Sequence, residues 1–270
     1  MRLPAPRYDH CLVTGASSGI GRAFAAALAP RAARLTLTAR RAERLEALAA
    51  ELRAARPALE CRVVPLDLAA EDGPARLLAA VEAEGVPVDL LVNDAGYGLH
   101  AGWSDCSWDE WRRMIQLNVV SSAALLRLFW DQLVAAPGRG AISLSSVAGF
   151  QPIPWFSCYS ATKAFVRSLS QGIGAEARAR GARFLSLCPG PTRSEFADVA
   201  HAEWEWGNLM MPPEAVVAAA LKAYEKGKPE VIAGWFNKLQ CVAATRLPLR
   251  FVVAMSEKVG RRKSAFPREA

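Results

Sequence analysis

Short apolar runs of strand-forming residues alternate with longer helical stretches along most of this chain, and this alternation restricts the fold more than any other sequence feature. The predicted strands are 11–14, 34–39, 62–66, 88–93, 141–146 and 183–188, and the predicted helices are 19–29, 41–56, 73–84, 108–134 and 157–180. Strands separated by helices pair in parallel, because each crossover returns the chain to the same edge of the sheet. We therefore predict an α/β fold with helices on both faces of one sheet.

Repeated crossovers of this kind are typical of a Rossmann-type, doubly wound parallel sheet of about seven strands in three α/β/α layers. No stretch rich in Gly, Ser or Pro divides the 270 residues, so we expect a single domain spanning 1–270. No run approaches the roughly 18 apolar residues that a membrane-spanning helix needs. The first ten residues do not resemble a secretion signal, and we expect a cytoplasmic protein.

The cysteines and the charge distribution argue against two classes of function. The six cysteines, at 11, 61, 106, 158, 188 and 241, form no C-x-x-C pair and do not cluster with the three histidines. We therefore expect reduced thiols and no metal site. The net charge is +7, but the residues from Arg246 onward contribute seven Lys/Arg against two Asp/Glu. Because the basic excess is concentrated in this tail, we expect no nucleic-acid partner.

A glycine-rich turn follows the first predicted strand. Its candidate binding residues are Gly15, Ser17, Ser18, Gly19, Ile20 and Gly21. Glycines let a diphosphate approach the backbone closely, and the N-terminus of the next helix offers it free N–H groups. The spacing G-x-x-x-G-x-G differs from the G-x-G-x-x-G dinucleotide pattern, so the turn alone is weak evidence for a nucleotide. Its position between a strand and a helix strengthens that evidence considerably.

Two arginines follow the second predicted strand. An acidic residue here would bind the ribose 2′-hydroxyl of NAD(H) and repel a 2′-phosphate, but this chain has Arg40 and Arg41. A guanidinium is well matched to a phosphate dianion, so we predict NADP(H) as the cofactor. The competing interpretation is that the arginines only solvate the start of a helix, which is a stronger objection for Arg41 than for Arg40.

Three polar residues around the fifth predicted strand form a candidate catalytic group. Ser146 ends the strand, and Tyr159 and Lys163 are four residues apart, so they share a helix face. A free phenol has a pKa near 10, and lowering it by about three units takes roughly 4 kcal/mol, which a nearby ammonium and an oxidised nicotinamide could supply. Tyrosine and lysine at this spacing are common on ordinary helices. Together with the glycine turn and Ser146, however, the pair indicates a catalytic function.

These segments, taken in order, resemble the short-chain dehydrogenase/reductase family over nearly the whole chain, and in particular an NADP-preferring, bacterial reductase-like subgroup. The resembling segments are 14–21, 67–68, 93–96, 118, 145–149, 159–163 and 189–190. In this family the catalytic serine lies thirteen residues before the tyrosine, which selects Ser146 over Ser145. Asp94 stands where the family usually has a second asparagine, and Ser194 where it often has threonine.

The resemblance implies hydride transfer between nicotinamide and a ketone, aldehyde or secondary alcohol. Tyr159 would be the general acid/base, and Ser146 would polarise the carbonyl. Lys163 would bind the nicotinamide ribose and lower the tyrosine pKa, while Asn118 would hold a water of a proton relay. Further cofactor-binding residues are implied at Asp67, Leu68, Asn93, Ala95, Gly96, Pro189, Gly190, Thr192 and Ser194. The alternative is a non-catalytic, NADP(H)-binding regulator or scaffold on the same fold.

Apolar and aromatic residues are the candidate walls of a substrate pocket. Trp155 is the predicted substrate-binding residue beside Ser146 and Tyr159, and the other candidates are Tyr97, Phe156, Phe196, Trp204, Trp206 and Met210. This lining, with 190–212 as a lid, would suit an apolar or aromatic carbonyl compound, although the aromatics could equally pack a lid against the core.

The family commonly forms homodimers or homotetramers, and the resemblance implies the same here. We expect the C-terminal extension, 235–270, to pack on its own domain or on a partner subunit. Its mixture of apolar and basic residues leaves an amphipathic membrane contact open.

Overall fold

The computed structural model describes residues 7–200 and 210–260, with side chains described as far as Glu257. Its strands are β1 (Tyr8–Thr14), β2 (Ala32–Ala39), β3 (Glu60–Pro65), β4 (Leu90–Asn93), β5 (Gly140–Leu144), β6 (Arg183–Cys188) and β7 (Glu230–Ile232). They form one seven-stranded sheet in the order β3-β2-β1-β4-β5-β6-β7, and all neighbouring strands are parallel. The predicted doubly wound sheet is confirmed, and its strand order reverses between β1 and β4.

Helices cover both faces of this sheet. They are α1 (Gly19–Leu28), α2 (Ala42–Ala55), α3 (Gly73–Glu82), α4 (Trp108–Ile115), α5 (Ser122–Leu128), α6 (Trp130–Leu133), α7 (Ser157–Ala177), α8 (Phe196–Val199), α9 (Pro213–Glu225), α10 (Trp235–Arg246) and α11 (Leu249–Gly260). Alternate residues of a strand point to opposite faces, so Val13 joins the core beneath α1, α2 and α9, while Leu12 joins the core beneath α3, α5 and α7. Burial on both sides explains why the strands are apolar without interruption.

The predicted helical region 108–134 is helical, but it is divided into several segments. It begins at a capping box, in which the Ser107 hydroxyl accepts a hydrogen bond from the Glu110 N–H and the Glu110 carboxylate accepts one from the Ser107 N–H. A π-helical turn over Gln116–Ser121 then interrupts it, and the Ser121 hydroxyl donates to the Gln116 carbonyl five residues earlier at 2.9 Å. A second break occurs at Phe129, where ψ is 1°. Helical periodicity alone cannot reveal such local widening.

All six cysteines are buried and free. Across residues 7–200 and 210–260, no His, Cys, Asp and Glu side chains are grouped closely enough to hold a metal ion. In the same part of the chain, no helix combines the length and the apolar character needed to span a membrane.

Candidate active site

A cavity of about 580 Å³ opens at the carboxyl ends of the central strands, where the strand order reverses. Most of the predicted cofactor residues line it: Gly15, Ser17, Ser18, Gly19, Ile20, Arg40, Arg41, Asp67, Leu68, Ala95, Gly96, Pro189, Gly190, Thr192 and Ser194. The three predicted catalytic residues Ser146, Tyr159 and Lys163 line the same cavity. Four other predicted residues, Gly21, Asn93, Asn118 and Trp155, do not line it.

The glycine turn between β1 and α1 has the shape of a cradle for a diphosphate. Gly15 and Gly19 adopt φ values of +69° and +54°, which side chains disfavour. Gly21 lies behind the turn, where an added Cβ would meet the Gly15 carbonyl oxygen at 2.4 Å. Helix α1 begins at Gly19, and the Ser18 side chain does not cap it. The Gly21 N–H is taken by the Asp94 carboxylate, but the N–H groups of Gly19 and Ile20 at the start of the helix remain available to an anion. The residues present therefore fit a dinucleotide.

The two arginines after β2 differ in their surroundings. Arg41 donates hydrogen bonds to Ser17 Oγ at 3.1 Å and Ser18 Oγ at 3.0 Å, and it forms an ion pair with Glu195 at 2.8 Å. Arg44 also pairs with Glu195, and the two guanidinium groups hold the pKa of that carboxyl below its usual range. Arg40 is exposed at the cavity and forms no ion pair with another described residue. Its charge is thus available to a ligand.

Ser146, Tyr159 and Lys163 come together because β5 ends beside the start of α7. Tyr159 and Lys163 are buried, and the Lys163 Nζ lies 5.6 Å from the centroid of the Tyr159 ring. Lys163 Nζ donates to the Leu144 carbonyl at 2.8 Å, while the Ser145 hydroxyl donates to the Lys163 carbonyl at 2.7 Å. These bonds tie the helix to the end of β5, and the Ser146 hydroxyl lies within reach of the Tyr159 phenol.

The predicted lowering of the Tyr159 pKa by Lys163 together with an oxidised nicotinamide stays a prediction, because without the nicotinamide the pKa shifts the other way. Burial raises the pKa of Tyr159 well above its ordinary value, and this outweighs the opposing hydrogen bond from Ser146. The Asp94 carboxylate raises the pKa of Tyr159 further. The prediction relied on two cations, one of which is the nicotinamide ring and not part of the chain. The chain alone therefore favours a protonated phenol.

Asp94, the departure from the family pattern, lies between the glycine turn and Lys163. The Gly21 N–H donates to its carboxylate, and its Oδ1 is buried without a hydrogen-bond partner among the described residues. Burial raises the pKa of Asp94 to about 7, although the Lys163 ammonium and the Gly21 hydrogen bond oppose this. Burial also lowers the pKa of Lys163 to about 8, which the Asp94 carboxylate opposes. Each group thus supports the charged form of the other.

Replacing Asp94 by asparagine is expected to move the titration of Lys163 to lower pH. The amide oxygen can still accept the Gly21 hydrogen bond, but the negative charge that raises the pKa of Lys163 is removed. Because lysine is charged below its pKa, the variant loses the ammonium roughly one pH unit earlier than the wild type. The alkaline limb of the pH profile of kcat/KM measures this shift. An unchanged limb in Asp94→Asn would contradict the coupling.

The side chains of two predicted asparagines, Asn118 and Asn93, form hydrogen bonds that join neighbouring elements of the fold. Asn118 is buried within the π-helical turn, and its amide nitrogen donates to the Tyr97 carbonyl at 2.8 Å and to Thr162 Oγ1 at 3.1 Å. This links the turn to α7 one residue before Lys163. Asn93 donates to the carbonyl and the hydroxyl of Ser122, both at 3.0 Å, and so holds β4 against α5. Both side chains brace the elements that carry the site.

The structure places four of the predicted wall residues at the cavity, and their contact with a substrate stays a prediction. Tyr97, Phe156, Phe196 and Met210 line the cavity, and the Phe156 and Phe196 rings lie 4.3 and 5.3 Å from the Tyr159 ring. Trp155 does not line the cavity, so its predicted contact with the substrate has no support here and stays a prediction. Its φ is positive, at 60°, and its carbonyl accepts a hydrogen bond from the Ala101 N–H. Trp204 and Trp206 lie outside the described residues.

The sequence interpretation missed the part of the cavity wall that the C-terminal helices supply. The residues concerned are Gln240, Cys241, Ala243, Ala244, Leu247, Val252, Met255 and Ser256. The alternation of apolar and polar residues in this segment was visible, but it does not say which surface the segment packs against. Its predicted packing on its own domain is confirmed for the buried residues Cys241, Val252 and Ser256.

Comparison with known proteins agrees with this architecture. A profile of the short chain dehydrogenase family matches residues 9–204. An uncharacterized oxidoreductase of Myxococcus xanthus is 33% identical over 228 residues, covering 84% of this chain and 88% of that protein. A serine 3-dehydrogenase of Agrobacterium fabrum is 34% identical and covers 68% of this chain and 72% of its own.

A solved structure of similar sequence has the same fold. The short-chain dehydrogenase from Sphingobium yanoikuyae in complex with NADPH is 30% identical and superposes with a TM-score of 0.79, covering 88% of this chain and 93% of its own. This chain belongs to the short-chain dehydrogenase family, and it is an oxidoreductase of that family.

Proposed function

We propose that this protein is an NADP(H)-dependent oxidoreductase that reduces a ketone or aldehyde, or oxidises the corresponding alcohol. The observation that carries the proposal is the convergence of Ser146, Tyr159 and Lys163 on a cavity that the glycine turn also borders. A regulator or scaffold that only binds the cofactor has no need of this group. A cytoplasmic homodimer or homotetramer is part of the same proposal.

Each of the three residues has a distinct role in the proposed reaction. Bound nicotinamide supplies the hydride chemistry. Tyr159 gives its phenolic proton to the carbonyl oxygen, and Ser146 donates a hydrogen bond to the same oxygen. Lys163 binds the ribose hydroxyls and keeps a positive charge beside the phenol. The raised pKa of Tyr159 keeps it protonated at neutral pH, which is the form that gives a proton to a carbonyl oxygen.

The distribution of charged residues supports a neutral, apolar substrate. The charged side chains of the cavity belong to the glycine-turn end, where Arg40, Arg41, Asp67 and Glu195 lie, or to the Asp94–Lys163 pair. Besides these residues, the described lining of the cavity is largely apolar: Phe156 and Phe196 lie against the Tyr159 ring, and elsewhere the lining includes Ile153, Val199, Met210, Leu247, Val252 and Met255. Such walls bury apolar surface and offer no counter-charge to an amino acid. A bulky apolar ketone therefore fits better than serine.

The choice of NADP(H) rests on Arg40. Replacing Arg40 by alanine is expected to weaken NADPH binding roughly 10- to 100-fold, since a charge-assisted hydrogen bond contributes about 1.5–3 kcal/mol. NADH binding should stay nearly constant, because NADH has no 2′-phosphate. Fluorescence titration of the purified protein with each cofactor measures both effects.

Arg44→Ala is the matched control for this experiment. It removes a positive charge from the same region, and Arg44 pairs with Glu195 without lining the cavity. Its NADPH affinity should stay close to that of the wild type. Equal affinities of the wild type for NADPH and NADH would overturn the proposed specificity, and binding of neither cofactor would overturn the proposed function.

A further inference from the structure

The two C-terminal helices leave a concentrated apolar surface exposed. Of the 13 large hydrophobic side chains that are exposed among the described residues, eight belong to α10, α11 and the connection between them. We call these eight the C-terminal apolar face: Trp235, Phe236, Leu239, Val242, Leu247, Leu249, Phe251 and Met255. Trp235, Leu249 and Met255 are 79%, 63% and 64% exposed. Folded proteins rarely leave so many large apolar side chains together in water unless they bind something.

Each of the two helices packs one side on the domain and leaves large apolar side chains exposed on another side. On α10, Trp235, Leu239 and Val242 follow a helical spacing on the exposed side, whereas Asn237 and Cys241 are buried against the domain. On α11, Phe251 and Met255 are exposed one turn apart, and Val252 and Ser256 are buried. The inner side of each helix is therefore already packed on the domain, and the apolar outer side is left for another surface.

The segment of sequence that carries this face is basic. Residues 235–270 contain eight Lys/Arg and two Asp/Glu, whereas the rest of the chain contains 25 Lys/Arg and 24 Asp/Glu. Nearly the whole net charge of +7 therefore belongs to the segment that carries the apolar face. Lys238, Arg246 and Arg250 lie on the helices themselves, and none of the three forms an ion pair with another described residue. The Arg250 guanidinium lies 5.0 Å from the centroid of the Phe251 ring, which belongs to the face.

This charge distinguishes between the two surfaces that could cover the face. A second copy of the chain would bring another strongly basic segment against the first, and like charges that meet at an interface repel. An anionic lipid surface attracts the same lysines and arginines, while tryptophan and other apolar side chains enter the headgroup region. Exposed aromatic side chains on a basic segment therefore favour an anionic lipid surface, and not a second copy of the chain, as the partner that covers the face.

We propose that the C-terminal apolar face binds the surface of an anionic lipid bilayer, with α10 and α11 lying on the bilayer and not spanning it. Two of its members, Leu247 and Met255, also line the cavity. The rim of the cavity therefore faces the lipid when the protein is bound. An apolar substrate dissolved in the bilayer reaches the cavity directly, and this last step rests on the function proposed above.

Vesicle flotation of the full-length protein tests this proposal. The protein should float with vesicles of phosphatidylcholine containing phosphatidylserine, and far less with pure phosphatidylcholine. A double variant, Trp235→Ser with Leu239→Ser, should bind about tenfold more weakly, because it removes two exposed apolar anchors. Arg246→Glu with Arg250→Glu should weaken binding by a similar factor of about ten and leave little salt dependence.

Trp108→Ser is the control, since Trp108 is 62% exposed but lies on α4, outside the face. It should bind vesicles as the wild type does. All variants should keep wild-type NADPH affinity, so a failure of lipid binding can be told apart from a failure of the proposed function. Absence of flotation with anionic vesicles, or equal loss in Trp108→Ser, would overturn the proposal. The proposal would also be overturned if the protein bound no vesicles and the Trp235 and Leu239 substitutions converted an oligomer into monomers. The face would then be a subunit interface.

Discussion

Replacing Tyr159 by phenylalanine is expected to lower kcat for carbonyl reduction by about 10²- to 10⁴-fold while NADPH affinity stays within a factor of about two. The change removes only the phenolic oxygen, which is the proposed proton donor. The aromatic ring stays, so its packing against Phe156 and Phe196 should be preserved. Steady-state kinetics with the preferred ketone, together with cofactor titration, measures the two quantities separately.

Tyr8→Phe is the matched control for Tyr159→Phe. Tyr8 is also a buried tyrosine, and its hydroxyl has no hydrogen-bond partner among the described residues. It lies in β1 and does not line the cavity. Removal of this hydroxyl should leave kcat unchanged. A Tyr159→Phe protein that keeps most of its turnover would show that the proton comes from another group.

Replacing Ser146 by alanine is expected to lower kcat by about 10²- to 10³-fold, because the carbonyl oxygen then lacks one of its hydrogen-bond donors as negative charge develops on it. The Ser146 hydroxyl also accepts a hydrogen bond from the Ala148 N–H at 3.1 Å, and this bond is lost in the variant. The cost to folding should be small, about 1 kcal/mol. Thermal unfolding distinguishes this cost from the loss of catalysis.

Ser145→Ala separates catalysis from positioning. The Ser145 hydroxyl donates to the Lys163 carbonyl, so its loss should affect the placement of α7 and the NADPH KM more than kcat. The Ser146 variant should show the reverse, with a lower kcat and a nearly constant KM for NADPH. A larger loss of kcat in Ser145→Ala than in Ser146→Ala would contradict the assignment, because Ser145 and not Ser146 would then donate the hydrogen bond to the substrate carbonyl.

The sheet and the cofactor end of the site could be predicted from the sequence because local patterns determine them. The apolar runs identified β1 to β6, and parallel strands bring their carboxyl ends to one edge, so the glycine turn, Arg40 and Ser146 had to meet there. β7 has only three residues, Glu230–Ile232, and is too short to stand out in a hydrophobic pattern. It was expected only from the usual size of such sheets.

The remaining features depend on contacts between residues that are distant in sequence. Asp94 and Lys163 are separated in sequence by α4, α5, α6 and the whole of β5, so their mutual effect on pKa values could not be read from either segment. The π-helical turn depends on a side-chain hydrogen bond of Ser121, which periodicity does not reveal. The wall supplied by α10 and α11 depends on where the chain returns after β7.

The central claim is that this chain transfers a hydride from NADPH to an apolar carbonyl compound. The most direct test follows the loss of NADPH absorbance when the purified full-length protein is offered bulky apolar ketones, with NADH in parallel and Tyr159→Phe as the blank. The account predicts ketone-dependent consumption that is faster with NADPH than with NADH and absent in the blank. Tight NADPH binding without consumption by any ketone or aldehyde, and without reduction of NADP⁺ by the corresponding alcohols, would contradict it.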